Sequence, residues 1–134
     1  MRKTIQKDFF IITYGPTKLF DITPKILNIC KNVKKGFINI FSKGSTGALL
    51  ILPRENQVIE QIEKELWNLI PVYGWKHPGN AYAHLRSSLI STSLNILVEN
   101  GKLIIPENNG VFFLENQFTN ARRRHIMITI IEKN

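Results

Sequence analysis

Two of the chain's three histidines lie on either side of a turn signal near the middle of the sequence. His77 comes directly before Pro78-Gly79, which forces a turn, and His84 follows Asn80, a good N-cap for a helix that runs to Leu89. His84 would then lie one turn into that helix and face the loop that carries His77. Imidazoles placed in this way serve as metal ligands, proton carriers or donors to phosphate. From the spacing alone, two ordinary polar residues beside a surface loop are an equal alternative.

A second candidate is the polar segment Ser42–Gly47, which connects two predicted strands at residues 37–41 and 48–52. Its two glycines and its hydroxyl groups allow the backbone to bend towards an anion and offer N–H groups to it. The segment lacks the fixed spacing and the terminal Lys-Ser/Thr of a P-loop. The sequence therefore does not predict a nucleotide site here, and a plain connecting loop is the simpler interpretation.

Length and composition predict a single domain over residues 1–134 with one hydrophobic core. The chain has 18 Lys and Arg against 10 Asp and Glu, a net charge of +8, which favours anionic partners. Its one cysteine, Cys30, excludes an internal disulfide and suits a reducing compartment. Because no apolar run is long enough to span a bilayer and no signal peptide is recognisable, we expect a cytoplasmic protein without membrane contact.

The predicted elements alternate between strands and amphipathic helices. In chain order they are a strand at 9–14, a helix from Thr23-Pro24 to a stop at Gly36, strands at 37–41 and 48–52, helices at 58–69 and 80–89, a hairpin of 94–98 and 103–105 around Asn100-Gly101, and strands at 111–114 and 124–131. Cys30 falls on the apolar side of the first helix, so we expect a packed thiol. Strand pairs joined by short turns predict antiparallel sheets with helices to one side, an α+β fold. The absence of a βαβ series with a glycine fingerprint argues against a Rossmann domain.

The string Asn80-Ala-Tyr-Ala-His84-Leu85, with Tyr73 and His77 ahead of it, resembles the signature of the YjbQ family. In that family an Asn-Ala-His-Ala-His-Leu-like segment follows a Tyr-x-x-x-His-like one. The similarity covers nearly the whole chain in matching order. Further similar segments are residues 41–51, 55–71, 87–98, 112–115 and 122–129.

The resemblance implies a β-sandwich-like α+β fold, with two main helices and a short third one, assembled as a homotrimer. It also implies a pocket built around histidines, with a divalent metal such as Mg²⁺ or Zn²⁺ or a phosphate group nearby. Members of the family are associated with a secondary thiamine-phosphate synthase activity, a transfer that joins a hydroxymethylpyrimidine diphosphate to a thiazole phosphate and releases pyrophosphate. Such chemistry needs basic groups and a cation to stabilise the leaving diphosphate.

Five residues carry the site that the resemblance implies. His84 would orient a phosphate or act as a general acid, and His77 would pair with it or share a metal with it. Arg124 would neutralise phosphate charge. Thr46 and Ser45, with the backbone of their loop, would complete an anion-binding cradle.

The chain departs from the family pattern at four places. Gly44 stands where the family has the His of a His-x-Thr loop, and Tyr82 replaces the middle His of Asn-Ala-His-Ala-His. Leu52-Pro53 replaces an Asn-Glu pair, and residues 106–109 replace a Gly-x-Trp-Gln segment. Two imidazoles alone rarely hold a catalytic metal, which usually has three protein ligands. We therefore expect weak binding of a phosphorylated small molecule and little synthase turnover.

The alternative function is a non-catalytic, basic oligomeric protein that binds nucleic acid or another anionic partner. Its footprint would be Arg122–Arg124 together with Lys31–Lys35. The arginines cannot all share one face of a strand, because side chains alternate. The sequence also contains no nucleic-acid-binding motif and no evident aromatic platform among basic strands. His125, in the same strand, receives no catalytic role.

Overall fold

Two antiparallel sheets and three helices make up the part of the chain that the structure describes, residues 2–71 and 80–133 of a computed structural model. The strands are β1 Arg2–Gly15, β2 Lys18–Asp21, β3 Lys35–Lys43, β4 Gly47–Pro53, β5 Ser93–Glu99, β6 Lys102–Leu103, β7 Asn109–Glu115 and β8 Thr119–Lys133; the helices are α1 Thr23–Cys30, α2 Asn56–Leu69 and α3 Ala81–Ile90. One sheet has the order β1-β8-β3-β5-β6 and the other β2-β7-β4. The predicted α+β class is confirmed.

The core lies between the two sheets, where alternate residues of β3, β5 and β8 meet the continuously apolar strands β4 and β7. Ile38 and Ile40 of β3 face inward beside Ile128 of β8, and from the other sheet Leu49 and Phe113 reach the same cluster; all five are buried. Strands with alternating burial on one covered face are typical of antiparallel sheets that pack on a core. On the opposite face of the five-stranded sheet, Ile12 and Leu97 are exposed, at 65% and 61%.

Helix α1 begins at Thr23, the residue predicted as its cap, because Ile22 occupies the cap position, and the helix ends at Cys30. The predicted stop at Gly36 is wrong, because Gly36 belongs to β3 and pairs with Val98 and Glu132. A Cβ at Gly36 would lie 2.8 Å from the Ile131 main-chain oxygen, so the glycine serves close strand pairing. The packed thiol is confirmed: Cys30 is fully buried, and burial raises its pKa to about 11.

The sequence analysis missed β2, which has only four residues and carries no alternating pattern long enough to detect. It pairs with β7 and follows a turn at Gly15-Pro16. Strand β1 is longer than predicted. It lies at the edge of its sheet and pairs with β8 alone.

The hairpin at Asn100-Gly101 is confirmed, with positive φ at both residues (52° and 74°), as a tight two-residue turn requires. Helix α3 begins after Asn80, as predicted. The Asn80 side chain does not cap the helix, however. Its amide donates instead to Gln117 Oε1 at 3.0 Å, which ties the start of α3 to the loop before β8.

Among the residues that the structure describes, no helix is long and apolar enough to cross a membrane.

Candidate functional site

A polar cavity of about 380 Å³ lies where the loop between β3 and β4 approaches α3. β3 and β4 belong to different sheets, so this short loop carries the chain across the edge of the core. Gly44 has a φ of +131°, a conformation that side chains rarely adopt. The residues that line the cavity are Gly44, Ser45, Ser87, Ser88, Ser91 and Thr92. The loop and helix predicted to bear the site therefore meet at one hydroxyl-rich cavity.

The hydroxyl groups of this cavity differ in what they can offer a ligand. Ser87 and Ser88 donate their protons to the helix carbonyls of Ala83 and His84, at 2.9 and 2.8 Å. The hydroxyl groups of Ser45 and Thr92 have no hydrogen-bond partner within the described ranges, and neither does the Ser45 main-chain N–H, whereas the Thr92 carbonyl accepts from the Ser42 N–H at 2.8 Å. The donors open to an anion are therefore concentrated on the loop side.

Arg124 lies directly behind the loop and is almost fully buried. Its Nε and Nη2 donate to the two carboxylate oxygens of Glu115, the Nε bond at 2.7 Å, and Nη2 also donates to Thr46 Oγ1 at 2.8 Å. Thr13 Oγ1 donates to Glu115 Oε1 at 2.6 Å, and the Gln117 N–H donates to Oε2 at 2.9 Å. Each oxygen of Glu115 thus accepts two bonds, which leaves this carboxylate no free position for a metal ion.

The third nitrogen of the Arg124 guanidinium, Nη1, lies close to the loop at Gly44. A Cβ built on Gly44 would meet it at 3.3 Å, and Nη1 has no partner in the described part of the chain. Only the two N–H bonds of Nη1 remain to contact an anion from outside, because Nε and Nη2 are held by Glu115 and Thr46. Thr46 therefore acts on the site through Arg124 and does not line the cavity itself.

A second buried arginine, Arg86, was missed by the sequence analysis. Its Nη2 and Nε donate to the Ile70 carbonyl oxygen at 2.6 and 3.2 Å, Nη2 also reaches Leu66 O at 3.3 Å, and Nη1 contacts Thr17 Oγ1. A cation suits the carbonyl end of a helix, so Arg86 joins α3 to the end of α2. Burial lowers the pKa of Arg86, an effect that the nearby Tyr82 opposes. No sequence signal distinguished this arginine from a solvated one.

Of the two histidines assigned to the site, only one can be placed. His84 lies on α3, exposed, and its imidazole has no hydrogen-bond partner in the described ranges. Its carbonyl accepts the Ser88 hydroxyl proton, so His84 stands one helical turn from the cavity lining. His77 falls in residues 72–79, outside the described residues, and its convergence with His84 stays a prediction.

Tyr82, in the first turn of α3, is buried, with 2% of its surface exposed. Burial raises the pKa of its phenol, and the charge of Arg86 opposes that shift. The phenol oxygen lies near the Phe118 main chain, but no bond of ordinary hydrogen-bond geometry joins it to any described residue. A buried hydroxyl without a partner is uncommon and marks this position for a test by mutation.

A family model described as UPF0047 protein YjbQ-like matches residues 7–133. The chain belongs to the YjbQ family. UPF0047 proteins similar to it include one from Methanothermobacter thermautotrophicus, 30% identical over 87% of this chain and 84% of the relative. Another, from Methanocaldococcus jannaschii, is 33% identical over 85% of each. The UPF0047 protein YugU of Bacillus subtilis is 29% identical over 98% of this chain and 99% of its own.

Solved structures share the fold over almost the entire chain. A YbjQ-like protein of unknown function from Sulfolobus solfataricus P2 superposes with a TM-score of 0.88, at 26% identity, covering 99% of this chain and 100% of that one. A conserved YjbQ/UPF0047 family protein from Clostridium acetobutylicum superposes with a TM-score of 0.81, at 27% identity, covering 92% and 98%. The two sheets and three helices are thus the fold of the YjbQ family.

Two departures from the YjbQ pattern, Gly44 and Leu52-Pro53, lie at opposite ends of β4. Gly44 precedes the strand at Gly47, and Gly47 and Leu52 are separated by five residues of extended chain, about 17 Å. Side chains at these two places cannot ligate the same ion within one chain. The missing imidazole and the missing carboxylate therefore do not belong to one intrachain metal site.

The Leu52-Pro53 end of β4 adjoins a separate and larger cavity of about 830 Å³. There Arg54 Nε donates to Asp21 Oδ2 at 2.7 Å, and the Arg54 N–H donates to the Asn108 carbonyl. Asn108 and Asn109, a third place of departure from the family, line this cavity. The YjbQ chain thus differs from the family pattern in two separate regions.

The described residues contain no group of three or more His, Cys, Asp or Glu side chains that could hold a metal ion. Of the groups near the cavity, Glu115 is fully engaged and His84 is a single imidazole. These residues do not fit a divalent metal on their own.

Proposed function

We propose that this YjbQ protein binds the phosphate group of a small molecule in the cavity between Gly44-Ser45 and α3. The observation that carries the proposal is the approach of Arg124 Nη1 to the loop, 3.3 Å from where a Gly44 Cβ would lie. Ser45 and Thr92 line the cavity with free hydroxyl groups, and the Arg124 guanidinium lies next to Gly44, which lines the same cavity. Charge-assisted donors of this kind are those that hold phosphate in proteins.

The binding is proposed to be weak. Arg124 offers only its Nη1 amino group and not its two-pronged Nε and Nη2 face, since Glu115 occupies that face. The Glu115 carboxylate also cancels much of the positive charge behind the loop. His84, one turn from Ser88, would add a second donor at the rim, and His77 would join it if the two imidazoles converge.

We propose further that thiamine-phosphate synthase turnover is low or lost. The described residues supply no cluster that fits a divalent cation, and an imidazole is missing at Gly44. Losing one acid–base or ligand group commonly lowers rates by roughly two to four orders of magnitude. Recognition of phosphate should suffer less, because it rests on Arg124 and the loop.

A homotrimer completes the proposal. Leu85 and Leu89 lie one turn apart on α3, with exposed fractions of 36% and 68%, on the helix that lines the cavity. Large exposed apolar residues in a group favour an interface. A neighbouring subunit packed on this side of α3 would close the open cavity. A cytoplasmic location is also proposed, since the one cysteine is a free thiol.

The test is calorimetric binding of a thiazole phosphate, of its dephosphorylated alcohol and of inorganic phosphate. We expect saturable binding of the two phosphates at high micromolar to millimolar concentration and none of the alcohol. Ser45→Asp places a carboxylate in the cavity and should weaken binding at least tenfold. Asn28→Asp on α1 changes the net charge equally outside the cavity and should leave binding unchanged. Equal binding of phosphate and alcohol, or equal effects of the two variants, would remove the proposal.

A further inference from the structure

The outer face of β1 and β8 carries an exposed row of aromatic and basic side chains. The register pairs Phe10 with His125 and Ile12 with Arg123. Because neighbouring residues of a strand face opposite ways, these four side chains share the face turned away from the core. Tyr14 lies at the end of β1, where the register is irregular, and its ring packs edge-on against Phe20 of β2. Phe10, Ile12 and Tyr14 are 43%, 65% and 54% exposed.

The row is arranged by stacking contacts. The Phe10 and His125 rings stack with centroids 4.5 Å apart, and the Arg123 guanidinium carbon lies 3.7 Å from the Phe10 centroid. His125 Nε2 lies 2.8 Å from Asp8 Oδ2, which fixes the imidazole plane. The Phe10, His125 and Arg123 side chains are therefore held in place in the free protein. Binding a partner would cost little additional side-chain ordering.

Charge on this surface is predominantly positive. Lys43 of β3 pairs with His125 and extends the face on that side of the row. Asp8 contributes the one carboxylate in contact with the row in the described structure. The acidic residues of the chain are grouped elsewhere, notably along α2, which carries Glu60, Glu63 and Glu65. An anionic polymer would thus meet attraction on the sheet face and repulsion at α2.

We infer that this aromatic–basic face of β1 and β8 binds single-stranded nucleic acid. Single strands are bound by combinations of positive surface for the backbone with aromatic or guanidinium planes for the bases. Phe10 and Tyr14 are four residues apart on one strand, about 14 Å, so separate nucleotides would contact them. The face does not include the Gly44 cavity, so the inference stands apart from the phosphate site.

The position of the row differs from the footprint that the sequence suggested. Arg124 points inward to Glu115 and contributes nothing to this face, and the segment Lys31–Lys35 lies beyond the end of α1. The aromatic partners come instead from β1, more than a hundred residues away in the chain. Strand pairing alone brings them to Arg123.

The experiment measures fluorescence anisotropy of labelled single strands of about 20 nucleotides, longer than the ~4–16 nucleotides that small binding domains cover. Oligothymidylate, oligouridylate and a DNA duplex of the same length are compared at increasing salt. We expect at least one single strand to bind at least tenfold more tightly than the duplex, with affinity that falls as salt rises. Comparison of the two single strands shows whether DNA or RNA is preferred.

Three variants locate the surface. Tyr14→Ala should weaken binding at least fivefold, the lower end of what one stacking contact provides, and Tyr14→Phe should bind like the wild type. Ile12→Glu, at the most exposed position of the row, should abolish binding while folding normally by circular dichroism. Lys102→Ala, in the β5–β6 hairpin, removes one charge elsewhere and should change affinity less than twofold.

Several outcomes would overturn the inference. They are duplex binding as tight as single-strand binding, no saturable binding by the wild type, or equal effects of Ile12→Glu and Lys102→Ala. A further outcome that would overturn the inference comes from light scattering of the protein without nucleic acid. If Ile12→Glu turns an oligomer into a monomer, the face is an interface between copies of the chain and not a nucleic-acid surface.

Discussion

Arg124 and Glu115 form a buried, two-pronged ion pair in which both carboxylate oxygens accept from the guanidinium. Glu115 is fully buried and Arg124 is 2% exposed. The pair sets the position of Arg124 Nη1 behind Gly44, and it ties the end of β7 to β8. It therefore serves both the fold and the proposed phosphate site.

Removing the charge of Glu115 should destabilise the protein strongly. Glu115→Gln keeps the side-chain size but leaves the Arg124 charge buried without a counter-ion. We expect the free energy of unfolding, measured by urea denaturation, to fall by about 3–5 kcal/mol. Glu60→Gln makes the same chemical change on the exposed face of α2 and should alter it by about 0.5 kcal/mol or less. Similar values for the two variants would show that the buried pair does not matter for stability.

A side chain at Gly44 should strain the loop. The φ of +131° suits glycine, and a Cβ would lie 3.3 Å from Arg124 Nη1. We expect Gly44→Ala and Gly44→His each to lower the free energy of unfolding by about 1–3 kcal/mol. Gly44→His restores the imidazole of the family pattern, so Zn²⁺ affinity measured by calorimetry should rise in that variant and not in Gly44→Ala. Wild-type stability in both variants would contradict the strain.

The Cys30 thiol should make the protein less stable at alkaline pH. Burial raises its folded-state pKa from 9.0 to about 11, so the unfolded chain loses this proton first as pH rises. The stability linked to Cys30 is complete below pH 9 and is lost as the pH rises through 11. The loss is about 2–3 kcal/mol at most.

The measurement compares urea denaturation of the wild type and Cys30→Ala at pH 8 and pH 11. The difference between the two proteins isolates Cys30 from the lysines and tyrosines that titrate in the same range. We expect the wild type to lose more stability than the variant over this interval. An unchanged difference would mean that the thiol ionises normally in the folded protein.

The Tyr82 hydroxyl should contribute nothing to stability. Its oxygen is buried and has no hydrogen-bond partner among the described residues. Tyr82→Phe removes an unsatisfied polar group, so we expect the free energy of unfolding to stay constant or rise by about 1 kcal/mol. A fall of more than about 1 kcal/mol in urea denaturation would reveal a bond that stabilises the native state.

A charge on the outer side of α3 should break the proposed homotrimer. Light scattering of the wild type should give three times the chain mass of 15.5 kDa. Leu89→Glu, at a residue 68% exposed, should give the monomer mass. Leu97→Glu makes the same change on β5, where Leu97 is 61% exposed, and should remain a trimer. A monomeric wild type at micromolar concentration would exclude the trimer.

The local pattern of the sequence determined most of the elements. Short apolar runs between turn residues placed β3 and β4, helical spacing placed α2, and Asn100-Gly101 placed the hairpin. These signals are short-range, because burial on one face dictates which neighbours in the chain are apolar. The helix stop predicted at Gly36 was wrong because a glycine can either end a helix or allow two strands to pair closely. The sequence around Gly36 does not distinguish these two roles, and its pairing with Glu132 in the sheet does.

The tertiary structure alone decided what the charged residues do. Arg122, Arg123 and Arg124 look alike in the sequence, yet Arg124 is buried against Glu115 while Arg123 lies exposed on Phe10. Residue type and spacing do not predict which residue pairs with a buried charge. That partner comes from a distant strand, and its position depends on the register of the sheet. Gly44 and Leu52 likewise differ from the family pattern at positions close in sequence, but the extended strand from Gly47 to Leu52, about 17 Å long, separates them. The sequence could thus name candidate residues, and the sheet order determined which of them meet.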